Sequence, residues 1–150
     1  MQKNRISNDL MLIIMTCVFT CGMGALCMGF LPGVSLSYES SDTILDGFNC
    51  LFLTSPLVSI LMILGYSLPL ISFVVSYQGA KRKHHKVLFF VASGLALIGA
   101  VLILLEPTII MNALNDATII EANYCSGPIL GFLFALATAL ITLITGLVRN

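Results

Sequence analysis

A chain of 150 residues with seven basic and seven acidic side chains has no net charge at pH 7, and 58% of its residues are hydrophobic. Soluble domains carry about 25% charged residues; this chain carries 9%, with a mean hydropathy of +1.03. Those values exclude a mostly water-facing surface, the length allows one domain, and no basic stripe points to nucleic acid as a partner.

Crossing the hydrocarbon core takes about 20 consecutive apolar residues as a helix. Four segments meet that demand, at 10–31, 51–77, 87–105 and 128–148. Barrel strands would alternate polar and apolar positions, which these unbroken runs do not. Helices also satisfy every backbone amide within their own segment, as lipid requires. The sequence therefore predicts an all-α fold: a single membrane domain over 1–150, built as a bundle of four transmembrane helices.

Lys3 and Arg5 precede the first span. Its apolar run is too long for a signal-peptide core and lacks a small-residue cleavage site, so it is expected to stay as an anchor. Within it Cys17, Cys21, Gly24 and Met28 recur on one narrow helix face. Two thiols and a thioether are soft ligands of the kind Cu(I) prefers, but no second helix offers a matching set. Close packing explains the face better, so no metal and no cofactor is expected. The Ser/Gly-rich, acidic stretch 32–50 reads as an irregular excursion.

The second span holds Pro56 in its first turns and Pro69 well inside, after Gly65-Tyr66-Ser67. An interior proline removes a backbone hydrogen bond and bends the helix, which predicts a kink near Gly65–Pro69 with Ser67 or a neighbouring helix serving the freed carbonyl. Lys81, Arg82, Lys83 and Lys86 then crowd a short loop that also contains His84 and His85. Such a cluster fixes topology first and contacts anionic lipid head groups as a by-product.

The third span should stop at Glu106, because Pro107 follows. Glu106 is the only acidic residue close to the hydrocarbon, and Pro107 suggests that it marks the interface. Residues 108–124 are read as an amphipathic helix on the outer leaflet, with Ile110, Leu114 and Ala117 on one face, although Glu121 falls on the wrong side. The fourth span carries a stripe of small residues, Gly131, Ala135, Ala139 and Thr142, of the type that lets helix backbones approach closely.

All seven basic residues lie before span one, between spans two and three, or after span four. The positive-inside rule then puts both termini and the 79–86 loop in the cytoplasm, N-in and C-in, in the cell membrane. Cys50 and Cys125 end up at the outer ends of spans two and four, facing an oxidising compartment, and are expected to form a disulfide with Cys27 as competitor.

Overall the chain resembles tetraspan membrane proteins of claudin-like or MARVEL-like topology, but it has no Trp and only one cysteine in the first loop. Around Asp46-Gly47-Phe48-Asn49 and Leu104-Leu105-Glu106-Pro107 it is similar to small four-helix membrane proteins of Gram-positive bacteria. That resemblance covers spans two and three and implies a membrane bundle without implying an activity.

Enzyme motifs are missing: there is no H-E-x-x-H, no G-x-S-x-G and no phosphate-cradling glycine loop. The expectation is a non-enzymatic protein that acts by helix packing, with the bilayer and other membrane subunits, or itself, as partners. A small channel or transporter for an ion or small solute is the alternative.

Overall fold

A computed structural model describes residues 8–38, 42–46, 56–81, 86–114 and 119–148. Four helices are long and apolar enough to cross a membrane: α1 (Asn8–Met28), α2 (Pro56–Lys81), α3 (Lys86–Leu104) and α5 (Ser126–Val148). A fifth, α4 (Glu106–Leu114), is short. Round the bundle the order is α1–α2–α3–α5, closed by α1 against α5, and α2 also touches α5 across the centre. Large apolar side chains such as Leu12, Val91 and Ile144 point outward. Such a coat is tolerable only in lipid, where burying them gains nothing.

The all-α expectation needs correction. The stretch read as an irregular excursion contains two strands, β1 (Pro32–Tyr38) and β2 (Asp42–Asp46). The expected amphipathic helix ends at Leu114, and Ile119–Tyr124 is a third strand, β3. The sheet is antiparallel in the order β2-β1-β3, so its central strand joins the two loops at one end of the bundle. The cause is a period-two pattern: Val34 and Leu36 are buried while Ser35 and Ser37 between them are partly exposed. Glu121, awkward on a helix, opposes Ser37 and stands exposed on β3. A bulge at Gly33 shifts the register before the last β1–β2 pair, Pro32 with Asp46, and the Gly33 carbonyl accepts the Cys125 N–H at 3.0 Å.

Close backbone approaches hold the bundle together. α2 continues through Pro69, which leaves the Gly65 carbonyl without its usual donor. Ser67 donates instead to the Leu64 carbonyl, at a long 3.5 Å. Gly99 of α3 lies against this notch: a Cβ there would come within 2.9 Å of both the Gly65 oxygen and Pro69 Cδ. From the other side Gly22 of α1 fits the same turn, where a Cβ would stand 3.0 Å from the Pro69 oxygen. Pro69 is thus clasped between two glycines. Gly99→Ala is expected to cost about 1–3 kcal/mol through overpacking. Gly94→Ala, with nothing within 4 Å of its Cβ, should be neutral or slightly stabilising. Thermal unfolding in one detergent compares the two.

Candidate functional site

The chemistry of this bundle concentrates at the end that carries the sheet. Pro107 occupies the first turn of α4, where a missing N–H costs nothing. Leu105 is a turn between α3 and α4, still tied back by its N–H to the Val101 carbonyl at 3.0 Å. This short break turns Glu106, Pro107 and Ile110 into the protein. Glu106, expected from the sequence to mark the end of the span, is fully buried.

Its partner comes from 40 residues earlier. Tyr66 of α2 donates its hydroxyl to Glu106 Oε2 at 2.6 Å, while Glu106 Oε1 is buried without a hydrogen-bond partner. The tyrosine ring packs with Ala100, Ile103 and Ala135, and Met28 and Phe132 cover that cluster. Gly131 makes the space: a Cβ there would meet Tyr66 Cε1 at 3.1 Å. Glu106 lies two residues beyond the end of the third span, and burial pushes its carboxyl up to about 7 against the opposing pull of the Tyr66 hydroxyl. A group of this kind takes up and releases a proton near neutral pH. No ion pair offsets it among the described residues.

Along the rest of the interior, hydroxyls are served by helix backbone. Thr138 donates to the Phe134 carbonyl at 2.9 Å, Thr142 to Thr138 at 2.8 Å and Thr145 to Ile141 at 2.6 Å. Ser93 reaches across from α3 to the Ala139 carbonyl at 3.0 Å. Among the described residues, Ser72 Oγ is the other buried side-chain oxygen without a partner. The small-residue stripe Gly131, Ala135, Ala139 and Thr142 is entirely buried, so it packs within the bundle.

The remaining sequence candidates are scattered. Cys17 is exposed, Cys21 half-buried, and Met28 packs toward Tyr66. No group of three His, Cys, Asp or Glu among the described residues could hold a metal ion. Cys125 is a free, half-buried thiol among the described residues, and Cys50, its expected partner, lies outside them. Lys81 ends α2 and Lys86 begins α3. Arg82 and Lys83 lie outside the described residues. The Tyr66–Glu106 pair was missed because its two members are distant in the chain; the available signal was a lone acidic residue beside apolar sequence. No known protein family matches the chain, and neither does any curated protein.

Proposed function

We propose that this is a non-enzymatic multi-pass protein of the cell membrane that works by helix packing, as an accessory subunit or as a self-associating bundle. Both termini and the loop after α2 are cytoplasmic in this reading, because all seven basic residues fall there. The observation that carries the proposal is how the small residues are distributed. On α5 they are consumed inside the bundle, whereas α1, the least enclosed span, leaves Thr16, Cys17, Thr20 and Cys27 outward. Thr16 and Thr20 bond the Leu12 and Thr16 carbonyls of their own helix at 3.0 and 2.9 Å. A second helix can therefore approach α1 without stranding a hydroxyl.

Oxidative cross-linking in native membranes tests this. With Cys27 as the sole cysteine, a covalent dimer or a defined mixed adduct is expected. Val91→Cys in a cysteine-free background, on the outward face of α3, should give none. Equal, random cross-linking from both positions would mean that α1 faces bulk lipid.

A small channel or transporter is the second reading, favoured by the buried Glu106 carboxyl and its unpartnered oxygen. Buried ionisable groups in membrane bundles commonly serve ion or proton paths. Ion flux into vesicles that is abolished by Glu106→Gln would favour it over packing.

A further inference from the structure

We propose that the groove between α1 and α2, at the end of the bundle that carries Lys81, is a binding site for one anionic diacyl phospholipid. This goes beyond the packing role and does not depend on it.

The groove has a volume of about 410 Å³ and runs between Asn8 and Lys81 at its mouth and Phe19 and Phe73 at its deep end. That volume takes about one acyl chain of the lipid, and the groove is open at its side, where the second chain can lie in the bilayer. Its walls are apolar, with Met11, Leu12 and Met15 on α1 facing Tyr77 and Ala80 on α2. Flexible methionines adapt to a chain without a fixed shape.

Three aromatic rings and one cation define its long axis. Phe19 meets Phe73 edge-on across the two helices, with centroids 5.1 Å apart. Phe73 lies 5.9 Å from Tyr77, and the Lys81 ammonium sits 4.6 Å above the Tyr77 ring. An apolar rail thus ends on a positive charge, as an acyl chain ends on a phosphate. Lys81 is exposed, so its ammonium can meet a head group while its stem covers the groove wall. Charge selects the occupant: among the described residues both basic side chains, Lys81 at the end of α2 and Lys86 at the start of α3, belong to this end. Basic residues near an anionic membrane surface are drawn to its head groups.

The test is native mass spectrometry of the full chain released from nanodiscs of equimolar phosphatidylglycerol and phosphatidylcholine. Wild type is expected to retain one phosphatidylglycerol at least five-fold over phosphatidylcholine. Lys81→Gln should lose the head-group preference, and Thr16→Leu, which fills the groove from an exposed position, should lose the bound lipid. Lys86→Gln, outside the groove, should behave like wild type. A diazirine-bearing phosphatidylglycerol provides a check on unaltered protein, labelling within 8–19 and 73–81 and sparing 91–98. Wild-type retention by both Lys81→Gln and Thr16→Leu would overturn the proposal. So would an equal loss in Lys86→Gln, which means diffuse surface charge, or labelling spread evenly over the outward faces, which means bulk lipid.

Discussion

Detergent-solubilised protein is expected to lose thermal stability as pH rises from about 4.5 to 7, and to change little above that. Below 4.5, the ordinary value for this carboxyl, Glu106 is protonated in both folded and unfolded chains, and its contribution is fully present. Between 4.5 and about 7 the unfolded chain releases the proton while the folded one retains it. Stability therefore falls as pH rises through this window, by up to about 3 kcal/mol at about 1.4 kcal/mol per pH unit. Glu106→Gln keeps an acceptor for the Tyr66 hydroxyl and cannot ionise, so its melting temperature should be flat across the window and exceed wild type at pH 8. Tyr66→Phe leaves both carboxyl oxygens bare and should cost about 1–3 kcal/mol even at acid pH. Melting curves of the three proteins at half-unit pH steps decide the matter. A wild-type pH slope in Glu106→Gln would place the titration elsewhere.

Gly131→Leu and Ala135→Leu should be among the most damaging single substitutions in the bundle. Gly131 lies against the tyrosine ring that reaches Glu106, and Ala135 is wholly enclosed beside the same ring. Apolar association in lipid rests on close dispersion contacts, which a bulky side chain at these points removes in number. The expected cost is roughly 1–3 kcal/mol each if overpacking resembles that in soluble cores. Gly131→Leu should also displace Tyr66 and weaken the acid–neutral pH dependence. Leu133 is 52% exposed, and Leu133→Ala should leave yield and melting temperature close to wild type. Equal behaviour of the three variants would mean that this stripe does not support the fold.

The four spans were legible because lipid permits so few alternatives: a long apolar run must be a helix. Among the described residues the expected and observed boundaries differ by a few residues, most at the end of α2, which runs to Lys81 rather than Tyr77, while 51–55 lie outside the described residues. The sheet was legible too, in Val34-Ser35-Leu36-Ser37, but serine content disguised the alternation as loop. Ile119 and Ile120 similarly favoured a strand over the helical reading of that segment. The Tyr66–Glu106 contact was not legible. It depends on the rotation and register of α2 against α3, set by how Gly99 fits the Pro69 turn, and neither spacing nor composition encodes that fit. The stripe on α5 showed which face is small, while its inward direction emerged only from packing.

Strand β1 pairs on both sides, with β2 from its own loop and with β3 from a segment more than 80 residues later. The two halves of the sheet therefore cannot form together during synthesis. The β1–β2 ribbon can close once the first loop has been made, whereas β3 reaches β1 only after α2 and α3 have been laid down and the second loop has followed. Long-range pairing of this kind is slow, since chain closure precedes its reward. The cap is thus the last part to mature, and until β3 arrives one edge of β1 stays open to other strands. The hydrophobic central strand is therefore open along one edge in the unfinished chain and covered on both edges in the finished one.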